Sequence, residues 1–153
     1  MDTSPSAIAI KEGTLEEVVV LSLKIPEFIN PHPIEEYQKR LQHTPHLVLI
    51  AYADQIPVGF KVGYEREGYF YSWMGAVLPM YRRHNAATLL AEAQEDWAIQ
   101  QGYSHVTFKT RNHLKSMLMF ALKRGFHILA VEKRDKVADY RILLRKFFDH
   151  QKI

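Results

Sequence analysis

The sequence predicts a single α/β (α+β) layered domain, a mixed and mostly antiparallel sheet with helices on both faces. Three observations carry this. Segments of strand-like alternation and of helical spacing follow in the order β-α-α-β-β-β-α-β-α-β-β. The three adjacent strand segments form an antiparallel meander, and the later strand–helix–strand unit requires parallel pairing. At 153 residues, with no internal repeat, linker or low-complexity tract, the chain has the length of one domain spanning 1–153.

Each element has its own signature. Ala7-Ile-Ala-Ile-Lys11 alternates as a short strand, and Gly13-Thr14 opens a helix in which Thr14 caps the N-terminus and Glu17 completes a capping box. Ile25-Pro26 stops that helix, and the Pro-rich loop Asn30-Pro-His-Pro33 leads into a second helix over Ile34 to Leu41. Leu47 to Ala53 and Val58 to Tyr64 are strands joined through Asp54-Gln55, and Tyr69 to Leu78 is a third, rich in aromatic and β-branched residues. Gly59 and Gly63 inside a strand mark close packing or a bulge. Helical spacing from Ala86 through Leu90, Ala93 and Trp97 stops at Gly102 and is followed by the strand His105 to Thr110. Leu114 to Lys123 is a further helix ended by Gly125, and Ile128 to Glu132 and Tyr140 to Leu144 form the last strand pair.

Composition removes several classes of function. With 47% hydrophobic and 24% charged residues the chain is globular, and residues 1–6 are read as a flexible end. The absence of cysteine excludes disulfides, thiolate nucleophiles and zinc–thiolate sites. His43 and His46 have a spacing a metal could use, but Pro45 and the lack of a third ligand make them a surface turn, and no metal is expected. No run of about 18 apolar residues and no signal peptide occurs, so neither membrane insertion nor export is expected and a cytoplasmic location is the default. The formal charge of +3 is spread along the chain rather than gathered in a stripe, which suits a small anionic ligand better than nucleic acid.

That ligand has an evident place. Between Val77-Leu78 and the helix at Ala86 lies a short basic turn, Arg82-Arg83-His84-Asn85, which aims backbone N–H groups, a helix dipole and two arginines at one point. Asn85 is a good N-cap and tolerates a left-handed backbone, and Ala86 and Ala87 lack bulk. The competing reading is that Arg82-Arg83 is a solvated charge pair.

Here the sequence resembles the GNAT acetyltransferases, whose cofactor signature Val-x-Pro-x-Tyr/Trp-Arg/Gln-x-x-Gly-x-Gly/Ala is met by Val77, Pro79, Tyr81, Arg82 and Ala87, with Asn85 in place of the usual glycine. The element order and Gly125-Phe126 fit as well, so the likeness spans roughly Ile8 to Lys146. It implies a sheet of six to seven strands whose central parallel pair splays apart. It also implies acetyl-CoA as co-substrate, with the pyrophosphate on the amides of Arg83, His84, Asn85, Ala86, Ala87 and Thr88 and near the Arg82 side chain, and pantetheine along the exposed backbone of Ala76 and Val77. The acceptor would be a primary amine of a small molecule or peptide, attacking directly in a ternary complex. Homodimerisation through the last strands is common in such proteins.

The proton-handling positions depart from the family. Tyr71 stands where some members carry a glutamate, and Ala121 where many carry a tyrosine. Candidates left for catalysis are Tyr71 and Ser72 as a relay, Glu65 (with Glu67) acting through water, and Asn112, which either reaches CoA or simply caps a helix. Tyr69, Tyr71 and Trp73 share one strand face, as core or as a wall that would favour an apolar or cationic acceptor. An acyl-CoA sensor without turnover is the alternative function.

Overall fold

The computed structural model describes residues 7–148; the flexible end expected at 1–6 lies outside the described residues. The chain runs β1 (Ile8–Glu12), α1 (Leu15–Ser22), α2 (Ile34–Leu41), β2 (His46–Ala53), β3 (Ile56–Arg66), β4 (Tyr69–Val77), α3 (Ala86–Gln100), β5 (His105–Arg111), α4 (Lys115–Lys123), β6 (His127–Glu132) and β7 (Arg141–Phe147). One seven-stranded sheet has the order β1-β2-β3-β4-β5-β7-β6, antiparallel except for the parallel pair β4–β5.

Local chemistry sets the boundaries. Thr14 Oγ1 accepts from the Glu17 N–H at 3.2 Å while the Thr14 N–H donates to Glu17 Oε1 at 2.9 Å, the capping box expected for α1. Asp54 and Gln55, and then Glu67 and Gly68, have paired positive φ, which fits the right-handed twist of two-residue hairpins. Gly63 lies at a register shift, and a Cβ there would come within 2.6 Å of the Phe70 ring, so the glycine lets that ring lie on the backbone.

α1 and α2 cover one face of the sheet through Val18, Leu21, Tyr37 and Leu41 against Ile50, Phe60 and Val62. On the other face α3 packs on Leu47, Leu49, Phe70 and Val106, and α4 packs through Ala121 on Ile142 and Leu144. β7 runs three residues beyond the expected Leu144 because Arg145 and Lys146 find partners in Thr107 and Glu95 and therefore remain in the sheet.

Candidate functional site

The central parallel pair is joined only at Phe70–Val106 and Tyr71–Thr107. Beyond these pairs β4 and β5 diverge into a wedge, as expected, and backbone groups of β4 on that side have no strand to bond. Leu78 N–H donates to Val58 O, so by alternation Ala76 faces β3 while Gly75 and Val77 face the wedge. Of the two residues expected to present backbone to a ligand, the structure aims Val77 there and turns Ala76 away; Gly75 takes its place.

At the open end of the wedge the chain makes a 3-10 turn over Pro79–Tyr81 and enters α3. Arg83 and Asn85 are both left-handed, with φ of 72° and 69°. Asn85 holds the N-cap position without a side-chain cap bond, so its tolerance of this conformation, not its capping oxygen, explains its presence. The first N–H groups of α3, on Ala86, Ala87 and Thr88, have no carbonyl four residues back within the helix, and the first closing bond runs from Leu89 to Asn85 at 3.0 Å. Ala86 is buried against the core and Ala87 is exposed, leaving an open approach to these donors and the helix dipole.

The two arginines separate. Arg82 donates through Nε to Val77 O at 3.0 Å and through both terminal nitrogens to Glu27 at 2.9 Å each, so its side chain braces the turn against the α1–α2 connection and holds the Glu27 carboxyl below its usual range. Arg83 is exposed, with no hydrogen-bond or ion-pair partner among the described residues, and is the guanidinium available to an anion. The His84 ring meets the Tyr81 ring edge-on at 6.0 Å.

At the apex of the wedge Tyr71 is buried, edge-on to Tyr64 at 5.8 Å, and burial pushes its hydroxyl above the usual tyrosine value. Tyr69, Tyr71 and Trp73 do share the α1–α2 face. Trp73, the extra residue at the bulge, packs on Tyr37 at 4.9 Å and on His32 at 5.2 Å. The row is therefore partly core, and its free ring faces already carry cations: Arg40 over Trp73 at 4.3 Å, Arg66 over Tyr71 at 4.8 Å and Arg145 over Tyr69 at 5.7 Å. The ring faces that a substrate-facing wall would offer to a cationic group are taken by the protein's own guanidinium groups.

The other candidates lie elsewhere. Ser72 is buried and, by alternation, shares the opposite face with Phe70. Glu65 pairs with Phe70 and accepts a 2.8 Å hydrogen bond from the Tyr103 hydroxyl, which burial and this bond push up to about 12. Its carboxylate is thus not brought to Tyr71. Asn112 does not cap α4, whose N-cap is Leu114; it donates to Val137 O and accepts from Lys115, each at 3.2 Å, tying the start of α4 to the β6–β7 loop.

One group was missed from sequence. Lys61, opposite Gly75 on β3, sends its side chain across that glycine: a Cβ on Gly75 would lie 3.4 Å from Lys61 Cγ and 3.7 Å from Nζ. Burial lowers its pKa to about 8, opposed by Glu95 and reinforced by Arg124. A lysine between Phe60 and Val62, within the otherwise apolar run Val58 to Gly63, was the available signal.

The mixed sheet thus opens into a wedge with unpaired backbone N–H groups at its open end, the kind of donors to which anions bind. Residues 18–126, more than half of the chain, match the acetyltransferase (GNAT) family, and the chain belongs to that family. A comparison with curated proteins gives no match. Among solved structures, the ribosomal-protein-S18-alanine N-acetyltransferase from Escherichia coli superposes with TM-score 0.80 at 12% identity, covering 92% of this chain and 94% of that one. Ard1 from Thermoplasma volcanium gives 0.77 at 16% identity, with 92% and 97% covered. The PaiA N-acetyltransferase from Thermoplasma acidophilum, in complex with coenzyme A, gives 0.70 at 16%, with 93% and 99% covered. These likenesses establish the fold.

Proposed function

We propose that the chain is an acetyl-CoA-dependent N-acetyltransferase that acts on a primary amine by direct attack in a ternary complex. The observation that carries this reading is the wedge between β4 and β5 with the left-handed Arg83–Asn85 turn at its open end. The amides from Arg83 to Thr88 suit a pyrophosphate, the Arg83 side chain a further phosphate oxygen, and the wedge-facing backbone of Gly75 and Val77 an extended amide-bearing arm. The coenzyme A in the PaiA complex and the alanine acceptor named for the Escherichia coli enzyme support the same chemistry.

Acetyl-CoA supplies the activated acyl carbon. The chain's residues orient it at the apex, where Tyr71 closes the α1–α2 side and the protonated state of its raised hydroxyl makes it a hydrogen-bond donor at neutral pH. As the amine nitrogen bonds to the acyl carbon the C–S bond would break and coenzyme A would leave as its thiolate; with Glu65 engaged by Tyr103, water would take the amine proton.

The test is thiol release from acetyl-CoA over a panel of amines. Amine-dependent release supports the reading; coenzyme A binding with no release for any acceptor rejects it in favour of an acyl-CoA sensor, a reading favoured by the engagement of Glu65 away from Tyr71.

A further inference from the structure

We infer that the acceptor is an anion, an amine-bearing molecule with carboxylates beside the amine, held by an arginine wall on the α1–α2 side of the wedge. The inference rests on the N-acetyltransferase reading for its chemistry but not for its binding site. Thr107 and Arg145 stand opposite each other across β5 and β7, as do Arg111 and Arg141, so Arg111, Arg141, Arg145 and Lys109 share one face, away from α3 and α4. The Arg145 Nε–Thr107 Oγ1 bond of 2.9 Å fixes Arg145 beside the apex, because Thr107 is the β5 partner of Tyr71. Arg66, stacked on Tyr71, and Arg40, stacked on Trp73, complete the wall from β3 and α2.

These six cations have two carboxylate partners among the described residues, Glu36 on Arg40 at 2.7 Å and Glu132 on Lys109 at 3.9 Å. Arg66, Arg111, Arg141 and Arg145 have none. Guanidinium groups stacked on rings are held in place with part of their hydration removed. They offer planar donors matched to carboxylates and repel a second cation. A small amino dicarboxylate and the N-terminus of an acidic peptide present the same chemistry.

The experiment compares kcat/KM for two matched pairs: glutamate against its diamide, and the peptide Ala-Glu-Glu-Glu against Ala-Gln-Gln-Gln. We expect the acidic member to win by about tenfold or more in at least one pair, with the advantage shrinking as salt is raised; the pair showing it identifies the source. The double variant Arg66→Gln/Arg141→Gln should reduce that advantage toward unity, whereas Lys123→Gln on α4 should leave it intact. A thermal melt of the double variant confirms that it folds. Equal or better turnover of the neutral member, or an equal loss on both members in the double variant, overturns the inference. If nothing is acetylated, calorimetric titration of the coenzyme A-loaded protein with the same two pairs decides. Preferential binding of the acidic member of either pair keeps the wall and rejects the transferase reading; no preference in both pairs rejects the wall.

Discussion

Asn85 shows how one backbone angle outweighs a side chain's usual role. Its φ of 69° is a conformation glycine adopts freely, asparagine at modest cost and β-branched residues at high cost. Asn85→Gly should leave stability within about 1 kcal/mol and coenzyme A affinity unchanged or better, while Asn85→Val should cost roughly 2 kcal/mol and weaken coenzyme A binding. Chemical denaturation and calorimetric titration check both, and equal behaviour of the two variants would mean that the left-handed turn does not shape the coenzyme A site. The tolerance of Asn85 was legible in sequence because it is intrinsic to the residue. The commitment of Arg82 to Glu27 was not, because 55 residues separate the partners and only the folded α1–α2 connection brings them together. Tyr71 was legible as a departure in the strand, and its pairing with Thr107 at the apex was not.

At the scale of elements, the N-terminus of α3 separates stability from binding. A carboxylate in the first turn of a helix interacts favourably with the dipole, by about 0.3–1 kcal/mol, yet it stands where a phosphate is expected. Ala87→Asp should therefore hold or slightly raise the melting temperature while weakening coenzyme A binding by about tenfold, roughly 1.4 kcal/mol. Loss of both together would mean that the turn had been deformed rather than repelling its ligand. Gly63→Ala should instead act on β3 and β4, since its Cβ would meet the Phe70 ring at 2.6 Å and the Tyr71 carbonyl at 2.9 Å; overpacking of this kind costs about 1–3 kcal/mol in denaturant melts. Element order, the capping box at Thr14 and the turn at Asp54-Gln55 were readable because they depend on local chemistry. The end of β7 and the direction of Ala76 were not, since both depend on what stands across the sheet.

Across the whole molecule, Lys61 of β3, Glu95 of α3, Arg124 after α4 and Lys146 of β7 form a charge cluster between sheet and helices. Glu95 accepts from Arg124 at 2.8 Å and from Lys146 at 2.7 Å, leaving Lys61 with favourable charge attraction but no hydrogen bond of its own among the described residues. Its pKa falls from 10.5 unfolded to about 8 folded, so between these values the unfolded chain binds more protons and stability rises with pH. Below about pH 8 the buried ammonium carries its full cost; above about 10.5 the cost is gone. Relative to a Lys61→Met variant, the wild type should gain roughly 2 kcal/mol between near pH 7 and near pH 10. Tyr52 and Tyr103, both raised to about 12, act in the opposite sense at higher pH and cancel in the comparison. Denaturant melts of both proteins across this range measure the difference, and parallel pH profiles would refute the depressed lysine. Glu95→Gln provides the complementary measurement. It strips the cluster of its carboxylate, should cost about 2–3 kcal/mol near neutral pH because the three cations stay partly buried, and should move the Lys61 window to lower pH.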